Sequence, residues 1–130
     1  MRLFFLSRLR AFSNAFTGWW HVLKTQPHAW IHAIISTVVV FIGLWVELNR
    51  YEWAIIIVIA AVVWMGEFIN TAIEAIVDLA SPEIHPLAKI SKDVGAAAVL
   101  IAAIAAAIIG LLILGPPFFA KVMTLLPQTR

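Results

Sequence analysis

Residues 53–80 read WAIIIVIAAVVWMGEFINTAIEAIVDLA. The first half suits a membrane span, but its charge-free part ends at Gly66, too short for a hydrocarbon layer ~30 Å thick that takes about 20 apolar residues to cross. The helix must therefore run on through Glu67, Asn70, Thr71, Glu74 and Asp78. At ~100° per residue all five lie within about 60° of Glu67 around the helix axis, so one face is a polar stripe. From Trp53 to Ala80 such a helix is about 42 Å long, some ~12 Å more than the hydrocarbon thickness. With Trp53 at the outer interface, Glu67 and Asn70 sit just under the inner headgroups, and Glu74 and Asp78 among or above them. A polar stripe at that depth is an interfacial site, because an ionisable side chain near lipid is costly and is retained for function.

The rest of the chain agrees with a membrane setting. Of 130 residues, 63% are hydrophobic and 12% charged, which leaves too little polar surface for a small water-soluble domain. No Asp, Glu, Lys or Arg occurs between Lys24 and Glu47, nor from Val94 to Ala120, so both windows can cross a bilayer. At the N-terminus, Phe5, Leu9, Phe12, Phe16, Trp19 and Leu23 recur at helical spacing, while Arg8, Ser13, Asn14, Thr17, His21 and Lys24 tend toward the other side. That pattern predicts an amphipathic interfacial helix. Arg8 and Arg10 interrupt the apolar run, so this segment is expected to stay on the mature chain. The expected fold is all-α: an interfacial helix over 1–25 and spans over 29–48, 53–80 and 94–116, within a single membrane domain over 1–130.

Charge sets the expected orientation. Arg2, Arg8, Arg10 and Lys24 precede the first span, and Lys89 and Lys92 lie between the second and third, which places those segments and the N-terminus in the cytoplasm and the C-terminus outside. The basic residues flank membrane segments without forming a stripe, so nucleic acid is not an expected partner. With zero cysteines there is no disulfide, thiolate metal site or cysteine nucleophile.

Ser81-Pro82 ends the long helix, since proline disfavours helical geometry in the residue before it, and Pro86 suits the first turn of the next. On that next helix Lys89, Lys92, Asp93 and Ala96 share a face. Acids on one helix thus meet bases on the following one. Phosphoryl transfer needs an oriented acceptor hydroxyl, carboxylates for a divalent cation and positive charge on the phosphates. All three kinds of group are present, with no GxxxxGK[ST] or Gly-rich kinase loop. A lipid alcohol presents its hydroxyl at the depth of Glu67, and a soluble nucleotide reaches Glu74, Asp78 and the lysines from the cytoplasm.

The segment EFINTAIEAIVDLASPEIHPLAKISKDVGAAAVLIAAI, residues 67–104, closely resembles the signature of the small bacterial diacylglycerol kinase and undecaprenol kinase family, whose pattern reads E-x-x-N-[ST]-A-[IL]-E-x-[VI]-[VI]-D, then H, then A-K-D. An A-F-x-G-like element at Ala15 to Gly18 and the PHAWIH segment extend the likeness over nearly the whole chain. PHAWIH and HPLAKISKDV lean towards the undecaprenol-type members. The resemblance implies a homotrimeric kinase of the bacterial inner membrane that uses ATP and magnesium, with active sites shared between subunits. It further implies that Glu67 is the base for the lipid hydroxyl, Asn70 a polar contact beside it, and Glu74 a metal-binding carboxylate. Lys92 and Asp93 match nucleotide-contacting positions, and Asp78, Glu83 and His85 positions close to the nucleotide. One residue departs from the pattern. Where the family's diacylglycerol kinases place a metal-holding glutamate, this chain has Gln26, whose amide offers magnesium only a neutral oxygen. Magnesium is then expected to arrive mainly as the ATP complex, with Glu74 as its principal carboxylate.

Two other classes compete with a lipid kinase. A trimeric proton or cation channel would also use an intramembrane acidic stripe, but its polar face should continue towards Trp53, where Ile56, Ala60 and Val63 stand instead. A non-catalytic subunit could use the stripe as glue, helped by Ala96, Ala97, Ala102, Ala103 and Ala106. The paired acidic and basic groups at the cytoplasmic mouth argue against both.

Overall fold

The computed structural model describes residues 2–81 and 85–126, with side chains from residue 6 onward. Four helices follow one another, α1 (Arg2–Thr25), α2 (Pro27–Trp45), α3 (Arg50–Ala80) and α4 (Pro86–Leu125). By length and composition α2, α3 and α4 can each cross a membrane, so the fold is an all-α membrane architecture. The principal packing runs along α3 and α4, with α1 and α2 laid against that pair.

The helix ends follow from local chemistry. Only Gln26 separates α1 from α2: its N–H donates to Val22 O at 2.9 Å and its carbonyl accepts from Ala29 N at 3.1 Å. Pro27 opens α2, earlier than the expected start at 29, because its locked φ suits a first helical turn. At the other end of α2, Asn49 caps α3. Its Oδ1 accepts from Tyr51 N and Glu52 N, and Glu52 Oε2 accepts in return from Asn49 N at 2.7 Å, a reciprocal box that starts α3 at Arg50. The turn before it places Glu47 at φ 61°, and Lys121 Nζ of α4 closes on Glu47 Oε1 at 2.7 Å. His85 Nδ1 accepts from Leu87 N at 3.2 Å and starts α4 before Pro86. From there α4 is one helix through the third span and on to Leu125, past the expected limit at 116, with Pro116 and Pro117 inside it. Prolines are tolerated in membrane helices where local adjustments satisfy the freed carbonyls.

Packing is inverted relative to a water-soluble domain. The buried apolar core is small, with Val46, Leu48 and Ile56 gathered where α2 turns into α3 and flanked by Trp53, Ile113 and Leu114. Large apolar side chains such as Leu79, Leu111 and Phe119 are exposed along the helices. Among the described residues the buried polar or charged positions are Glu67, Asn70 and Thr71. Apolar atoms lose nothing by facing lipid, whereas polar ones must find partners inside the protein. On α1, Leu9, Phe12 and Phe16 are exposed, but Trp19 docks edge-on against Trp64 and Phe68 of α3 with ring centroids 6.0 and 6.2 Å away. That aromatic contact joins α1 to the polar stretch of α3.

Candidate active site

The stripe on α3 meets two different walls. Towards α4 the contact is close, because Gly95 has no side chain: a Cβ there would overlap Asn70 Oδ1. That oxygen is buried and has no hydrogen-bond partner. With its carbonyl end lodged against Gly95, Asn70 turns its amide nitrogen to Glu74 Oε1 at 2.9 Å. From the junction of α1 and α2, Gln26 Nε2 donates to the other oxygen, Glu74 Oε2, at 2.8 Å. Both carboxylate oxygens of Glu74 therefore receive an amide hydrogen.

Glu67 lies on the same face about two turns nearer the middle of α3 and is only 3% exposed. Thr71 Oγ1 donates back to its main-chain carbonyl at 2.8 Å. The carboxylate faces α2, where His32 Nε2 stands 4.0 Å from Glu67 Oε2, too far for a direct hydrogen bond. His32 is packed edge-on to Trp64 at 6.4 Å, and Trp64 Nε1 reaches Ser36 Oγ at 3.4 Å. Gln26, His28, His32, Glu67, Asn70 and Glu74 line a cavity of about 410 Å³ whose opposite wall is apolar α4, Ala96 to Ala103. Deeper in the span an apolar groove of about 750 Å³ shares His32 and Ala103 with it. Ile56, Ala60 and Val63 line this groove, so the polar face stops where the composition of α3 says it does.

Where α3 ends and α4 begins, the charges pair across and along helices. Lys92 Nζ of α4 bonds Asp78 Oδ1 of α3 at 2.5 Å, and Lys89 Nζ bonds Asp93 Oδ2 one turn on at 2.9 Å. These groups are exposed, so the pairs add little stability, ~0–1 kcal/mol each. They can exchange partners for a polyanion at small cost.

The structure thus gathers Gln26, Glu67, Asn70 and Glu74 in one cavity, and pairs Asp78, one turn beyond Glu74 on α3, with Lys92. Asp93 pairs with Lys89 rather than with its neighbour Lys92, and His85 serves as the cap of α4. Glu83 lies outside the described residues. Sequence reasoning passed over His32 as a site residue, and also Gly95. A histidine inside a charge-free span is itself the signal for the first. The second has none short of knowing that Asn70 lies opposite.

The cavity can hold a hydroxyl beside a buried carboxylate, with a second carboxylate in it and two ammonium groups at the facing ends of α3 and α4. That arrangement agrees with what related proteins do. The family model for prokaryotic diacylglycerol kinase matches residues 13–114. The chain is 40% identical over 107 residues to an undecaprenol kinase of Bacillus subtilis strain 168, covering 82% of this chain and 87% of the relative. It is 36% identical over 113 residues to a diacylglycerol kinase of Synechocystis, covering 86% of this chain and 65% of that longer protein. To a diacylglycerol kinase of Escherichia coli K12 it is 32% identical over 110 residues, covering 74% of this chain and 90% of the relative. This chain belongs to the prokaryotic diacylglycerol kinase family and is a membrane lipid kinase.

Proposed function

We propose that the chain transfers the γ-phosphoryl group of ATP to the hydroxyl of a membrane lipid alcohol at the cytoplasmic face of the bacterial inner membrane. The observation that carries this reading is the buried carboxylate of Glu67 in a cavity that shares His32 and Ala103 with the apolar groove beyond it. A lipid lying along the groove brings its hydroxyl to that carboxylate, with Asn70 beside it. The hydroxyl oxygen attacks the γ-phosphorus as the bond to the ADP oxygen breaks, and its proton passes to Glu67. The family pattern assigns Lys92, Asp93 and Asp78 to the nucleotide, a reading supported by the Lys92–Asp78 pair across α3 and α4, and it assigns Glu83 and His85 to positions near it.

The donor set suits magnesium carried by a nucleotide better than a resident ion. No three His, Asp or Glu side chains cluster as a metal site among the described residues. Magnesium asks for only one or two protein carboxylates when phosphates and waters complete its shell. Each oxygen of Glu74 accepts one amide hydrogen and keeps a free lone pair, so Glu74 can serve as that carboxylate, with the Gln26 oxygen as the weaker neighbour. When bound, the ion would neutralise charge on the phosphates.

A polyprenol such as undecaprenol is the favoured acceptor, because the 40% identical relative named for it aligns over most of both chains. Diacylglycerol, named in the other relatives, is the second. We further propose a homotrimer with shared sites, N-terminus in the cytoplasm and C-terminus outside, supported by a polar cavity that one chain leaves open and by the basic residues ahead of α2. Measuring phosphorylated lipid from purified protein given MgATP with undecaprenol, diacylglycerol or both tests the acceptor. A dominant undecaprenyl product in competition is expected, and a dominant phosphatidic acid product would reverse the assignment.

A further inference from the structure

Gln26 stands at the N-cap of α2 with extended geometry, φ −109° and ψ 107°, yet its side chain does not cap that helix. It is turned away to Glu74, while its main-chain N–H and carbonyl are held by α1 and α2. The main-chain bonds to both helices fix where this amide starts, and its bond to Glu74 fixes where it ends. Opposite, the missing side chain of Gly95 leaves space for the end of Asn70, whose amide nitrogen is held on Glu74 Oε1. Two amides thus grip one carboxylate from two elements.

We propose that Gln26 is a positioning residue: with Asn70 it forms a clamp that holds the Glu74 carboxylate in its working place with no cation present. This rests on the reading of Glu74 as the magnesium carboxylate and adds how that group is set before nucleotide binds. The charge of Glu74 is met by two hydrogen-bond donors, which are strong because the acceptor is ionised. A glutamate at 26 would bring a second anion to within hydrogen-bonding distance of the first, and two such carboxylates repel unless a cation lies between them. Residue 26 therefore decides whether the site needs a metal to be ordered. With glutamine, the site is ordered empty; with glutamate, it is ordered only when loaded.

The test reads the metal alone, on detergent-solubilised protein stripped of divalent cations, without ATP or lipid. Mn2+ titrated into wild type and Gln26→Glu, followed by the paramagnetic signal of the free ion, should bind the variant at least tenfold more tightly. Thermal melting of wild type should be indifferent to added Mg2+, whereas Gln26→Glu should melt lower in chelator and recover with Mg2+. Equal Mn2+ affinity in the two proteins, or a wild type that Mg2+ stabilises as much as the variant, overturns the clamp. Should Gln26→Glu not assemble, Gln26→Met serves: it removes the donor, so melting in chelator should fall by a few degrees, and the fall should vanish in a Glu74→Gln background. Unchanged melting of Gln26→Met also overturns it. Because none of these readings uses turnover, loss of the clamp leaves the phosphoryl-transfer reading intact, and an inactive kinase leaves the clamp intact.

Discussion

Replacing Glu67 with glutamine exchanges one carboxylate oxygen for an amide nitrogen at the buried charged position among the described residues. The volume is kept, the bond from Thr71 goes to the main chain and survives, and His32 at 4.0 Å is too far to lose a direct hydrogen bond. A neutral side chain is cheaper to bury than a carboxylate, so melting should hold or rise slightly. What disappears is the acceptor for the lipid hydroxyl proton. A positioned general base contributes roughly 10²- to 10⁴-fold, about 3–5 kcal/mol of barrier, and kcat should fall by that factor. The KM for ATP should stay within about threefold of wild type, because the nucleotide-side groups Glu74, Asp78 and Lys92 are untouched. Initial rates at saturating lipid, with melting measured on the same sample, decide the matter. A folded Glu67→Gln protein with kcat within about threefold of wild type would refute the role given to this carboxylate.

Gly95→Ala drives a methyl group into Asn70 Oδ1, an overpacking that costs about 1–3 kcal/mol; a lower melting temperature and reduced turnover are expected, and wild-type values for both would show that α4 yields freely there. Lys121 holds the Glu47 carboxyl below its ordinary value, first through its hydrogen bond and then through its charge. A lowered folded-state pKa means stability that is present at neutral pH and lost as pH falls through the carboxylate range. Lys121→Met should therefore melt slightly below wild type near pH 7 and match it near pH 3, the gap also shrinking in high salt; a gap that widens towards acid would contradict the pairing. Mixing inactive Glu67→Gln chains with inactive Lys92→Met chains should restore part of the activity if a site draws on two subunits, and no rescue in verified mixed trimers would confine it to one chain.

The sequence made the long second span legible because Glu67, Asn70, Glu74 and Asp78 obey one helical period, and three of them are indeed drawn to one cavity. The pairing of acids on α3 with bases on α4 was legible in part: Lys92 meets Asp78, but Lys89 takes Asp93 within its own helix because four residues bring them together on one face. The start of α3 was written in Asn49 and Glu52, a capping pair three residues apart, and could have been read from spacing alone. By contrast, nothing in the order of residues says that Gln26 points at Glu74. That contact joins residues far apart in the chain and depends on where the α1–α2 junction comes to rest. The fit of Gly95 against Asn70 is hidden for the same reason, since a glycine within an alanine-rich helix looks like general close packing until its opposite number is known.

The most direct measurement places purified protein in lipid nanodiscs with γ-labelled ATP and follows ADP release and label in the lipid together, with magnesium and lipid alcohol each added or withheld. Phosphoryl transfer requires label to enter the lipid one-for-one with ADP, only when both are present. ADP release that ignores the lipid alcohol, or assembled protein that leaves the lipid unlabelled, would contradict it.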